Sequence, residues 1–180
     1  TANTVNQDTN DTVLDVKGHF YIDASTTFTK SANTTTTLFL RAGAGTVSLS
    51  DGTVSLQDLG VVQVSAGTGN TTVGLISDIK LTNLIIDASQ EFDCGWGGTG
   101  QNVTITGSGA GSSRPLRNSG IFGTPGSSTP GTVYYTGTSA TEISTYTSDS
   151  IWYNGLSLSP AATVTYTIGT AASQTLKVGT

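Results

Sequence analysis

Methionine is absent from the 180 residues, and cysteine and histidine occur once each, as Cys94 and His19. Glutamate appears twice (Glu91 and Glu142), lysine four times, and charged residues together make up 11 % of the chain, less than half the ordinary share of about 25 %. Each scarcity excludes something. A long helical bundle or coiled coil needs Ala, Glu, Lys and Leu, and Glu and Lys are too few here. A lone cysteine forms no intrachain disulfide, so stability has to come from a packed core. Seven Lys and Arg against 12 Asp and Glu leave a net charge of −5, the reverse of the basic patch of a nucleic-acid binder. No run approaches the ~18 apolar residues of a membrane-spanning helix, and no charged-then-apolar leader opens the sequence. The start at Thr1 reads as a small residue left by removal of an initiator Met in the cytoplasm, with a mature secreted form as the other reading.

What the chain does have is threonine. Thr, Ser, Asn and Gly fill 87 of the 180 positions, 34 of them Thr. Threonine is polar yet β-branched, so it suits the wet side of a half-buried sheet. From Thr12 onward, short runs of Val, Ile, Thr, Phe and Tyr alternate with Gly, Asn, Asp, Ser and Pro clusters, the pattern of strands and turns. In ValThrTyrThrIle, Val164, Tyr166 and Ile168 fall on one side and the threonines on the other, a period of two. The composition predicts an all-β fold. An antiparallel sandwich or jelly roll with long Gly/Ser/Pro loops is the first expectation, and a β-solenoid the alternative.

One local feature favours antiparallel pairing. GlyThrValSerLeu occurs at 45–49 and again at 52–56. Asp51–Gly52 between them has the composition of a two-residue type I′ turn, which would pair Leu49 with Val54 and Val47 with Leu56 in a hairpin. As rungs of a solenoid the two pentapeptides are only seven residues apart, too few for a whole coil, and no longer repeat is visible in the residue identities. Residues 1–11 are polar and unpatterned and read as an arm. Residues 12–180 read as one domain, with a possible division into 12–113 and 132–180 joined by the Pro- and Gly-rich loop 114–131.

Catalytic chemistry finds little to work with. His19 sits in the strand-like run GlyHisPheTyrIle, where a backbone partner is the simpler role. Cys94 reads as a small buried hydrophobe. Asp8, Asp11 and Asp15 are three and four apart without helix formers around them. Asp87, Glu91 and Asp93 lack the spacing of a calcium loop, and the glycines of 95–100 lack the ending of a phosphate loop. No cofactor or metal is expected. The aromatic residues hold more promise. Neighbours on a strand face opposite ways, so one ring of Tyr134–Tyr135 and one of Trp152–Tyr153 can enter the core, Trp152 being the first choice. Trp96, Tyr134, Tyr135 and Tyr153 are the candidates for an interface or a glycan contact.

The runs GlyThrValTyrTyrThrGlyThrSer (131–139) and SerIleTrpTyrAsnGlyLeuSerLeuSerProAla (150–161) resemble, in texture, the β-rich modules of small structural proteins of tailed bacteriophage particles. The resemblance covers the last third of the chain. It implies a capsid decoration (cement) or short fibre protein located in the virion. Such a protein would have no active site, would form a homo-oligomer, typically a trimer, and would have the major capsid or another virion protein as partner. Neither nucleic acid nor a membrane is expected as a partner. A carbohydrate-binding or adhesion module of a fibre or cell surface is the alternative, and an enzyme on a β scaffold ranks last.

Overall fold

The computed structural model describes residues 4–6, 13–30, 38–43, 45–96, 100–123, 131–169 and 171–179. Every strand pair among them is parallel, and the chain winds as a β-solenoid of about six turns. The antiparallel sandwich is thereby overturned in favour of the solenoid. Alternation within a strand shows which side is buried, but it carries no information about the direction of the neighbour.

Each coil is built from short strands that change direction at corners, so that successive coils stack in register. The first face stacks Leu14–Val16, Leu38–Leu40, Val61–Val64, Asn83–Ile86 and Leu116–Asn118. The second stacks Phe20–Ile22, Gly45–Asp51, Thr71–Leu75, Glu91–Asp93 and Ile121–Phe122. The third stacks Ile79–Leu81, Val103–Ile105, Thr132–Tyr135 and Gly155–Leu158. Thr4–Asn6 pairs with Thr27–Thr29, and the last coils add Thr141–Ile143 with Tyr166–Ile168 and Trp152–Tyr153 with Lys177–Val178. Of the arm expected at 1–11, Thr4–Asn6 is thus a strand, and the rest lies outside the described residues. Within 114–131, two strands stand where a loop was expected, and 124–130 lie outside the described residues. Pairing passes from one proposed part of the domain to the other, Val103 against Val133.

The core of the first and middle coils is a set of aliphatic ladders. Leu14, Leu38, Val62, Leu84 and Leu116 are aligned in successive coils, 24, 24, 22 and 32 residues apart. Leu38, Val62, Leu84 and Leu116 have no exposed surface, and each buried side chain of this size contributes about 1.5–3 kcal/mol. Variation in coil length explains why no repeat is visible in the residue identities. The repeat exists in register, as in the third face, where IleLysLeuThrAsn, ValThrIleThrGly and ValTyrTyrThrGly align. Thr82, Thr106 and Thr136 then turn the same corner, each backbone N–H donating to a carbonyl of the preceding coil. Gly107 and Gly137 follow in that column, where a Cβ would strike Thr82 O and Gly107 O of the coil before, so a backbone approach closes the corner.

The expected hairpin at Asp51–Gly52 does not form. Gly45–Asp51 lies between Phe20–Ile22 and Thr71–Leu75, parallel to both, so Val47 and Leu49 pack against Val73 and Leu75. Two long-range ladders replace one local one, and the second pentapeptide is left in a loop with Val54 fully exposed. Asp51 is buried and sets that loop: its carboxylate accepts from Thr53 N and Oγ1 at 2.9 and 2.6 Å and from Gln57 N at 2.6 Å. Gly52 lacks the positive φ that a type I′ turn would require.

Candidate functional site

The outer surface of the second face gathers aromatic and small polar side chains. Phe20 and Ile22 point into the core, so His19 and Tyr21, alternating with them, stand outside. Their rings stack with centroids 5.7 Å apart and planes 13° from parallel, and Tyr21 is 54 % exposed. On the next strand Val47 and Leu49 point inward, which turns Ser48 and Ser50 outward. Ser48 N donates to His19 Nδ1 at 2.9 Å, so Nδ1 is the unprotonated nitrogen in this arrangement. One strand further, Gly74 is aligned with Ser48, and Trp96 lies directly on it. A Cβ at Gly74 would overlap the indole at Cγ and Cδ1. Ser48, flanked by His19 and the covered Gly74, is only 7 % exposed although it faces outward. Trp96 keeps 41 % of its surface open. Beyond Gly74 comes Asp93, aligned with it on the following strand. Its Oδ1 accepts from Gly95 N at 2.8 Å, which shapes the turn that carries Trp96 back over the sheet.

The aromatic candidates separate cleanly. Trp96 is outside. Tyr134 is half-buried on the outer surface of the third face, between Thr104 and Ser157. Tyr135 and Tyr153 have no exposed surface, and their hydroxyls meet at 2.9 Å, with Tyr153 Oη donating to Ser144 O at 3.0 Å. Burial pushes both phenols well above their usual range. These two are core residues. Trp152, expected in the core, is 38 % exposed. One ring of each pair is indeed inside, but for Trp152–Tyr153 it is the tyrosine, whose hydroxyl finds buried partners that a strand-flanking indole would not reach.

The other chemistry-bearing residues are engaged by neighbouring side chains and backbone groups. Asp87 accepts from Gln63 Nε2 and Ser65 Oγ, Glu91 from Thr72 Oγ1, and Asp93 from Gly95 N. Among the described residues no three His, Cys, Asp or Glu side chains are grouped to hold a metal ion. The Asp8 and Asp11 positions lie outside the described residues. Cys94 is buried, and burial, reinforced by the charge of Asp93, pushes its thiol up to about 12, far from a thiolate nucleophile. Asp58 is the most networked acid. Burial alone would raise it, but Lys30 Nζ at 2.7 Å, Gly60 N at 3.0 Å and Thr106 Oγ1 at 3.1 Å together hold it below its usual 3.8.

The sequence carried a signal for the Trp96 site that composition alone does not reveal. Gly74 interrupts ThrThrValGlyLeu in mid-strand, and an isolated glycine in a strand marks a close approach. Comparison with family models, with curated proteins and with solved structures found no match to this chain.

Proposed function

We propose that the chain is a non-enzymatic adhesive and structural module of a particle or cell surface, and that the outer surface of its second face is where it makes contact. The observation that carries this reading is Trp96, an indole held on Gly74 with 41 % of its surface open, beside the stacked His19–Tyr21 pair. Exposed Trp and Tyr on a rigid support are the usual anchors of recognition surfaces. A solenoid suits the role, since stacked coils present outward side chains in register along one axis. The absence of enzyme function is supported by the engagement of His19 Nδ1 and of the acids by their own neighbours. The virion is the setting suggested by the texture of 131–139 and 150–161.

The structural side of this reading, a self-associating decoration or fibre protein, draws on a separate feature. Leu158, Ile168 and Val178 on the last strands are 43, 50 and 52 % exposed, and those strands are paired on one side only among the described residues. Such edges invite copies of the same molecule.

The test is retention of fluorescent chain on bacterial cells and on purified capsids. Saturable retention is expected, with Trp96→Ala reducing it at least tenfold, about 1.4 kcal/mol. Retention that is indifferent to Trp96 would remove the second face from the proposal.

A further inference from the structure

We infer that the second face binds an extended, neutral oligosaccharide of hexopyranose units laid across the strands, with one sugar stacked on Trp96 and another on Tyr21. This rests on the reading of that face as the contact surface and names the ligand class it takes. Three observations point to it. The first is spacing. Trp96 lies over Gly74 on the strand Thr71–Leu75, and Tyr21 belongs to Phe20–Ile22, with Gly45–Asp51 between them. Tyr21 aligns with Ser50, two residues beyond the row of Ser48 and Gly74, so two strand spacings and a two-residue offset put the two backbone positions roughly 12 Å apart, a span that an extended glycan covers with one sugar between the two stacked ones while running obliquely across the strands.

The second observation is the chemistry of the gap. A pyranose offers an apolar C–H face to an aromatic ring and a rim of hydroxyls to polar groups, the combination of apolar support and few polar contacts found in small-ligand sites. Between the rings stand Ser50, whose Oγ reaches Ser77 Oγ at 3.2 Å and keeps acceptor capacity, and His19, whose Nδ1 is taken by Ser48 N, so that Nε2 is its remaining polar atom. The third is charge. Glu91 and Asp93 sit on the strand beyond Gly74, against one lysine, Lys17, two residues before His19. Uronic or sialic acid units would meet carboxylates of like charge beside the indole, whereas neutral sugars would not.

A shallow site with two stacking rings binds weakly, with a Kd on the order of 0.1–1 mM. The experiment titrates the full chain with cellohexaose, chitohexaose and hexagalacturonate. It follows tryptophan emission together with amide shifts of Ser48 and Gly74. At least one neutral hexamer is expected to saturate, with hexagalacturonate at least tenfold weaker. Trp96→Ala should weaken binding about tenfold and Tyr21→Ala about threefold, both with unchanged melting, and Trp96→Tyr should restore most of the affinity and serves if the alanine variant folds poorly. Hexagalacturonate binding as well as the neutral sugars would overturn the inference. So would the absence of any neutral sugar binding while retention on cells or capsids still depends on Trp96; that outcome leaves the contact face standing and removes its ligand class. Retention independent of Trp96 would remove both.

Discussion

The coils formed by residues 38–122 and those formed by 131–179 solve the same packing problem with different materials. In the first region the ladder is aliphatic: Leu38, Val62, Leu84 and Leu116, with Leu49 and Leu75 opposite, are all without exposed surface. Phe92 and Phe122 close its end, stacked at 6.2 Å. In the second the interior turns to tyrosine and buried polar groups. Tyr135 and Tyr153 share a hydrogen bond, and Asp149, 4 % exposed, is paired with Arg114. A four-residue helix, Tyr146–Asp149, is capped by Thr145, which accepts from Ser148 N. The last strands of this region have short parallel pairings on one side, supplemented by Tyr166 Oη donating to Tyr135 O and Trp152 Nε1 donating to Gly179 O. The lesson is that a solenoid need not be uniformly stable along its axis, because each coil answers mainly to its neighbours.

The largest effect should come from asking each region for the same methyl groups. Leu84→Ala empties a fully buried rung between Val62 and Leu116 and should cost about 3 kcal/mol of global stability. Leu158→Ala, aligned with Tyr135 at the open end and 43 % exposed, should cost under about 0.5 kcal/mol. Urea denaturation of the two variants decides it. Equal losses would mean that the rod unfolds as one indivisible unit with a core as firm at its end as in its middle.

Acid should separate the regions next. Asp58 belongs to the aliphatic half, bound by Lys30 and Thr106, and its carboxyl is held below 3.8 in the folded chain. A lowered folded value means that the ionised form is favoured by folding. Its stabilisation is therefore complete above about pH 4 and is lost as the pH falls through the folded value. Asp58→Asn should remove about 1.5 kcal/mol at pH 7 and flatten the acid limb of the melting curve below pH 4. An unchanged slope in the variant would show that the Asp58 network is not the source of the acid sensitivity.

Much of this contrast could be read in the residues, and the part that could not has a physical cause. The alternation that assigned Val164, Tyr166 and Ile168 to one side holds in part: Tyr166–Ile168 is a strand, but Val164 precedes it and Ile168 is half exposed. Direction was lost because a three-residue strand alternates identically whichever way its neighbour runs. The pentapeptide repeat misled for the same reason: Asp51 is a good turn former, but its carboxylate shapes an Asx-type loop, while Val47 and Leu49 gain more from two distant ladders than from one nearby strand. For the contact surface, Trp96 was visible and its support was not. That Gly74 lies beneath it depends on a register set across twenty-two residues of winding chain, which only the fold supplies.

The smallest effect belongs to the last coil and isolates what holds it. Lys177 Nζ stands 3.4 Å from the centre of the Tyr146 ring and 4.9 Å from that of Trp152, so the ammonium bridges the short helix to the strand pair Trp152–Tyr153 with Lys177–Val178. Cation–π contacts at such partly exposed sites contribute about 0.5–1 kcal/mol each. Lys177→Met keeps the aliphatic stem and removes the charge, so its cost measures the attraction rather than packing. The expected outcome is faster amide exchange at Gly179, whose N–H donates to Tyr153 O and closes the coil, with no change at Leu84 or Val62. Exchange that quickens equally in both regions would show that this contact supports the whole rod; exchange unchanged everywhere would leave the hydrogen bond from Trp152 Nε1 to Gly179 O as the fastening of the last strand.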